Sequence, residues 1–130
     1  MIDPTEANRE RGSVAVLACA LVAVAAVLML AVVAVGGAVV LAGRAEAAAD
    51  GAALAGADAL AMGHGSVACA AASLVAEVDG ARLVECRLEA DAVEVVVALN
   101  GGGPVALGRT VRARARAEVD LSASRGGAEG

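Results

Sequence analysis

The one histidine of the chain, His64, is the first residue to consider for metal binding or proton transfer. It lies between Gly63 and Gly65, and two glycines so close together predict a break between helices. A metal site needs several ligands at suitable spacing, and no other part of the sequence completes such a set around His64. We therefore expect an exposed loop histidine and no metal site.

Motifs of the familiar enzyme classes are missing from the sequence. It contains no nucleophile elbow, no phosphate-binding glycine loop, no HExxH pair and no pair of acids in a recognisable catalytic setting. The glycines at 101–103 are not followed by a predicted helix that could bind an anion. We expect a protein that is not an enzyme, with no catalytic residue and no cofactor.

Cys69 and Cys86 are candidates for a disulfide bond if their part of the chain lies outside the cytoplasm. The bond would join a predicted helix to a predicted strand, and closing a loop of this size is worth about 3 kcal/mol in the chain-entropy model. A small core without aromatic residues would benefit from it. The alternative is two free buried cysteines, because cysteine is common in protein cores.

Three arginines alternate with alanines at Arg112, Arg114 and Arg116, as on one face of a strand. They could contact phosphate headgroups or an acidic partner, but such a row is more often a solvated strand face. Pairing with Glu85 and Glu89 across a sheet would add only ~0.2–1 kcal/mol per pair. The net charge of −5 argues against a nucleic-acid partner.

An uncharged run of 31 residues, 13–43, is the most prominent element of the chain. As a helix it would reach roughly 46 Å, whereas the hydrocarbon core of a membrane is about 30 Å thick. A spanning helix must therefore tilt, protrude or kink, and we place its outer interface near the Gly36-Gly37 pair. Arg9 and Arg11 precede the run and only Arg44 follows closely, which favours a cytoplasmic N-terminus.

Within this run, Ala34, Ala38 and Ala42 form a row of small residues at four-residue spacing. Such a row allows another membrane helix to approach closely. Alanine is so abundant in this chain that the row can also arise by chance. Both interpretations stay open from the sequence.

The rest of the chain divides by pattern. Residues 1–12 form a polar, cytoplasmic head, and the Ala-rich segment 44–62 continues the membrane helix outward until residues 63–65 break it. Ser66 is placed to cap a second helix, Val67 to Val78, with Val67, Leu74 and Val78 on one side.

Period-two alternation then predicts three strands. The first covers 82–89 with Val84, Cys86 and Leu88 on one face; the second carries Val93, Val95, Val97 and Leu99; the third covers 111–121. After a loop at 100–104 and before a loose tail at 122–130, these strands complete an extracytoplasmic α+β domain, 44–121. We expect about three antiparallel strands, with helices covering the buried face.

Three groups of segments make the sequence resemble the TadE/TadG-like proteins of the Flp-pilus, or tight-adherence, machinery. They lie at 11–17, at Arg44 with 47–50 and 52–55, and at 69–72, 80–87 and 112–117. The third group contains the cysteine pair. Among these proteins the chain looks most similar to the small actinobacterial type encoded beside a helicase and secretion genes.

The resemblance implies a pilin-like membrane protein inserted with its N-terminus in the cytoplasm. By analogy, a prepilin peptidase would cut after Gly12 and leave Ser13 as the new N-terminus. Pilins of this kind usually carry a glutamate five residues into the mature chain, which helps subunits align in a fibre. This sequence has Leu17 there, so it departs from the family pattern at that position.

Two functions follow from these expectations. The first is a minor pilin or pseudopilin-like component of a pilus-like assembly or secretion system, anchored in the plasma membrane by a single span and in contact with other subunits. The alternative is a small secreted binding or effector protein. It rests on Ala45-Glu46-Ala47, a small-x-small cleavage site after the apolar run, although that run exceeds the 7–15 residues of a signal peptide.

Overall fold

A computed structural model describes residues 3–102 and 108–120 of the chain. Helix α1 covers Pro4–Ala61, a 3₁₀ turn covers Gly65–Val67, and helix α2 covers Ala68–Val78. Three strands follow, β1 at Arg82–Leu88, β2 at Ala92–Asn100 and β3 at Thr110–Glu118. This order confirms the predicted α+β fold with a long N-terminal helix and three antiparallel strands.

Helix α1 begins after Asp3, which supplies the capping contacts. The Thr5 hydroxyl donates a hydrogen bond of 2.7 Å to the Asp3 carboxylate, and the Glu6 N–H donates one of 3.0 Å to the Asp3 carbonyl. The Thr5 hydrogen bonds also lower the pKa of Asp3. The helix then runs without interruption through the apolar and Ala-rich segments, as predicted.

The chain divides into two compact units at the predicted weak point of α1, between Gly36 and Gly37. The first unit, within its described residues 3–36, is the N-terminal part of α1 alone. The second unit holds the C-terminal part of α1, the helix α2 and the sheet.

Helix α1 ends at the predicted glycine-rich break. The His64 N–H donates to the Ala59 carbonyl at 2.8 Å, and Gly63 adopts a φ of 78°, a conformation that favours glycine. Ser66 does not cap the next helix, so this expectation was wrong. Ser66 lies inside the 3₁₀ turn, and the N-cap of α2 is Val67, which makes no side-chain capping hydrogen bond.

The sheet has the order β1-β2-β3 with both neighbouring pairs antiparallel. Its central strand β2 buries one apolar face, as predicted, with Val93, Val95 and Val97 at most 1% exposed. The predicted alternation of β3 is also present, because Ala115 is buried while Arg114 and Arg116 are exposed. Strand β3 ends at Glu118, and Leu121 and the tail 122–130 lie outside the described residues.

Strand β1 departs from strict alternation because of a β-bulge. Leu83 pairs with Val97 and Glu85 with Val96, so Val84 is the extra residue between them. The expected inward face of Val84, Cys86 and Leu88 is therefore only partly correct. Cys86 and Leu88 lie opposite the inward residues Val95 and Val93, but Val84 is 40% exposed and Leu83 faces the core in its place.

Both helices cover the buried face of the sheet through alanines. The core joins the β2 valines to a set of fully buried helical alanines, Ala45, Ala48, Ala49 and Ala52 of α1 and Ala72 and Ala76 of α2. The predicted side of α2 is turned away from this core, since Leu74 is 65% and Val78 87% exposed. These small side chains let helix and sheet approach closely.

Candidate membrane and assembly surfaces

The apolar part of α1 presents its large side chains to the outside all around the helix. Between residues 14 and 40 its valines, leucines and methionine are all at least 57% exposed, as with Val24, Leu28 and Met29. A helix that is apolar on every side needs an apolar environment. Among the described residues, α1 is the one helix long and apolar enough to cross a membrane. These observations are consistent with membrane anchoring.

The small-residue row lies along this exposed part of the helix. Ala34 and Ala38 are exposed and Ala42 is half-buried. At the neighbouring Gly36 and Gly37, an added β-carbon would meet nothing within 4 Å. The row is thus open to a partner helix, and its role as a packing surface stays a prediction.

The proposed peptidase junction, Gly12-Ser13, lies inside α1 at the start of the uncharged run. Both residues are exposed, and a β-carbon on Gly12 would meet nothing within 4 Å. Leu17, at the position where a pilin-type glutamate would stand, is 63% exposed. Exposure at these positions does not test whether the chain is cleaved or incorporated into a fibre, and cleavage after Gly12 stays a prediction.

The second candidate cleavage site, Ala45-Glu46-Ala47, lies where α1 enters the α+β core. Ala45 is fully buried and packs in the core cluster, and Leu41 packs against the same cluster. A cut in this segment would remove both contacts from a small core that is built mainly of alanine and valine. The site is thus part of the packed structure rather than an exposed linker.

Cys69 and Cys86 form a disulfide bond in the structure. The Sγ–Sγ distance is 2.01 Å and the Cα–Cα distance is 5.9 Å, both usual for a disulfide. The bond joins the first turn of α2 to the middle of β1, as the sequence favoured. Cys19, in the apolar part of α1, is free and exposed.

The face of the sheet opposite the core carries the arginine row of β3. Arg116 lies 2.7 Å from Glu89 and 3.4 Å from Glu118, and Arg114 lies 3.6 Å from Glu94. The hydrogen bond from Arg116 to the Glu89 carboxylate raises the pKa of Arg116. The expected partner Glu89 is therefore correct, whereas within 3–102 and 108–120 Glu85 makes no ion pair with these arginines.

The predicted loop histidine is exposed, and its neighbours do not form a ligand set. Within the described part of the chain, no group of three or more His, Cys, Asp or Glu residues could hold a metal ion. A shallow depression of about 420 Å³ lies on the outer side of β1 and β2, lined by Val84, Glu85, Cys86, Arg87, Glu94 and Val96. It exposes no buried polar side chain that would mark a ligand site.

Of the two arginines that β1 adds to this outer face, the predicted alternation already placed Arg87 there, and sequence reasoning missed Arg82. The register places Arg82 opposite Ala98 and Arg87 opposite Glu94, beside the row of β3. The alternation of β1 after the bulge predicts the position of Arg87 but not that of Arg82, which precedes the bulge. The bulge at Val84 changes which residues of β1 share a face, so simple alternation assigns Arg82 to the wrong face.

Comparison with known families identifies one segment of the chain. Residues 12–59 match a family model described as putative Flp pilus-assembly TadE/G-like. The match begins at Gly12, includes the whole apolar run and ends near the C-terminus of α1, covering little more than a third of the chain. It confirms the resemblance for the first two groups of segments and does not reach the third. No curated protein and no solved structure matches the chain.

Proposed function

We propose, from the match of residues 12–59 to a Flp pilus-assembly family, that the chain is a membrane-anchored component of a Flp/Tad-type pilus-like assembly or secretion apparatus. The proposal rests on one observation: the matched segment, residues 12–59, lies entirely within helix α1. The same residues form the apolar helix and the buried alanine face that holds the sheet.

The finer role we propose is that of a minor pilin or pseudopilin-like subunit without enzymatic activity. Its apolar helix would lie in the plasma membrane with residues 1–12 in the cytoplasm, as the flanking Arg9 and Arg11 favour. The disulfide supports an extracytoplasmic position for residues 44–121, because disulfides persist in oxidising compartments. Other subunits of the apparatus would contact the helix, and a prepilin peptidase would cut after Gly12.

The structure gives a reason to prefer an anchored protein over a released one. Release by a cut at Ala45-Glu46-Ala47 would separate the buried Ala45 from the core it helps to fill. A cut after Gly12 would remove only an exposed end of α1. Cleavage at Gly12-Ser13 is thus compatible with the folded domain. Cleavage near residue 47 would destabilise the domain, because it removes side chains that fill the core.

The proposed role is tested by deleting the gene in the native cell and counting surface filaments together with secreted pilus material. We expect fewer filaments and recovery when the full chain is supplied again. A matched control supplies a chain that lacks residues 13–36, which retains Leu41 and the α+β segment without most of the apolar run and should not restore filaments. Unchanged filaments after deletion would refute the assembly role.

A further inference from the structure

The strand register arranges the outer side of the sheet in three rows, each with one residue from every strand. The rows are Arg82–Ala98–Arg112, Glu85–Val96–Arg114 and Arg87–Glu94–Arg116. We call these nine residues the outer sheet face. They contain five arginines and two glutamates, although the chain as a whole has a net charge of −5.

Three of these five arginines have no ion-pair partner among the described residues. Arg114 and Arg116 have carboxylate partners, but among the residues that the structure describes Arg82, Arg87 and Arg112 form no ion pair. Between the two outer rows lies Val96, which is half-buried and leaves an apolar position at the centre of the face. The face therefore offers an apolar centre with unpaired arginines on both sides.

The solvent side of α1 carries the complementary pattern. Asp50, Leu54 and Asp58 follow one another at four-residue spacing, which places them in one stripe on a helix. All three are exposed, Leu54 by 60%, and neither aspartate has an ion-pair partner within residues 3–102 and 108–120. We call these three residues the α1 stripe.

The two patterns agree in spacing as well as in charge. Four residues of a helix rise about 6 Å, and two residues of a strand rise about 6.6–6.8 Å. With Leu54 on Val96, the α1 stripe can therefore place one aspartate between Arg82 and Arg112. The other aspartate then lies in the row of Arg87, whose central residue, Glu94, is already paired with Arg114. This arrangement would cover Leu54, which is 60% exposed in the single chain.

The two surfaces cannot meet within one molecule. The buried side of α1 and the inner face of the sheet enclose the same core, so the α1 stripe and the outer sheet face lie on opposite sides of it. We propose that the outer sheet face of one copy binds the α1 stripe of a second copy. The contact is heterologous, so it can be repeated from copy to copy.

Lipid headgroups are a less suitable occupant of the outer sheet face. Phosphates would satisfy the arginines, but they would leave Leu54 exposed and the two aspartates of the α1 stripe unpaired. A second copy satisfies both surfaces with one contact. This contact goes beyond the proposed function and does not depend on a role in a pilus.

The absence of lysine makes a direct chemical test available. In the full chain, Arg112→Lys keeps the positive charge and introduces the only side-chain amine, and among residues 3–102 and 108–120 position 112 has no carboxylate partner. A carbodiimide then joins this amine to a nearby carboxylate. Equal amounts of ¹⁴N- and ¹⁵N-labelled protein in mild detergent are mixed and treated, and the joined peptides are identified by mass spectrometry.

We expect mixed-isotope peptides that join position 112 to Asp50 or Asp58. Their yield should fall between 0.1 M and 1 M salt, as the Debye length shrinks from about 10 Å to about 3 Å. Leu54→Ala should lower the yield roughly tenfold, because it removes the apolar centre of the contact without removing a reacting group. Leu74→Ala on α2 is the matched control, since Leu74 is exposed to a similar extent and lies outside the α1 stripe.

Charge reversal gives a second measurement that does not rely on cross-linking. Arg112→Glu and Asp50→Arg copies, each alone, should lose self-association in sedimentation experiments. A mixture of the two should regain it, because the unaltered face of the Asp50→Arg copy still fits the unaltered stripe of the Arg112→Glu copy. Recovery in the mixture also shows that neither variant is unfolded.

Three results would overturn the proposal. The first is joined peptides that carry only one isotope or never involve Asp50 or Asp58. The second is an equal loss from Leu74→Ala and Leu54→Ala, which would place the contact elsewhere. The third is monomeric protein whose Arg112→Glu variant loses only its binding to phosphatidylglycerol vesicles, which would make a lipid surface the partner. None of these results bears on filament counts after gene deletion, so the two proposals fail separately.

Discussion

Gly56 of α1 lies against Val93 of β2 so closely that a β-carbon on Gly56 would come within 2.9 Å of the Val93 Cγ1 atom. Val93 is fully buried and cannot move aside freely. At this contact the backbone of α1 lies directly against the sheet, and the buried helical residues of the same core are small alanines. The α+β core therefore depends on close backbone approach more than on large side chains.

Gly56→Ala should destabilise the α+β domain by about 1–3 kcal/mol, because the added methyl group has no space beside Val93. The matched control is Gly51→Ala in the same helix, where the new β-carbon would lie 3.4 Å from the Val75 side chain, an ordinary contact. It should be neutral or stabilise by up to about 1 kcal/mol, through better helix propensity. Pulse proteolysis of the full chain across a urea series measures both, and equal midpoints for the two variants would refute this view of the core.

The disulfide should make the stability of the domain depend on reducing agents. Replacing both Cys69 and Cys86 by alanine is expected to lower the free energy of unfolding by about 3 kcal/mol, from the entropy of a loop of this length. A reductant should lower the urea midpoint of the native protein to a similar extent and leave that of the double variant unchanged. Cys19→Ala is the control and should retain the full response. Free thiols at both positions in oxidised native protein would contradict the expectation.

The two sides of α2 should respond to substitution in opposite ways. Ala72 is fully buried, so Ala72→Leu should overpack the core and destabilise the domain by about 1–3 kcal/mol. Leu74 is 65% exposed, so Leu74→Ser should change the free energy of unfolding by no more than about 0.5 kcal/mol. Greater damage from the Leu74 substitution would restore the orientation that the sequence alone suggested.

The row of small residues makes a prediction inside the membrane. Ala38→Leu adds bulk at the centre of the row of Ala34, Ala38 and Ala42, and it should weaken co-purification of partner helices from gently solubilised membranes. Ala25→Leu changes an exposed alanine of the same span outside the row and serves as the control. Identical co-purification by the two variants would favour the chance origin of the row in an alanine-rich chain.

Element order and the central strand could be predicted because their patterns are simple. The alternation of Val93, Val95 and Val97 specifies one buried strand face, and the glycines around His64 specify a helix break. The arginine–alanine alternation of β3 likewise predicts a strand with one solvated face. In these segments the residues that the sequence period assigns to the buried face are the ones that are buried in the structure.

The remaining differences arise where packing overrides local pattern. Leu74 and Val78 resemble a buried face by size, but the side of α2 that packs in the core is formed by the small residues Ala72 and Ala76. The bulge at Val84 inserts one residue and shifts the alternation of β1, which periodicity cannot anticipate. The outer sheet face depends on strand register, so its arginine rows were found only from the structure.

The most direct test of a membrane-anchored assembly component is the N-terminal sequence of the mature protein in membranes and in the medium. We predict that the protein is found in the membrane fraction and begins at Ser13, with Met1 as the result if the anchor is retained uncut. In both cases the apolar helix stays attached to the α+β domain. A mature chain that begins near Ala48 and accumulates in the medium would contradict the anchored role.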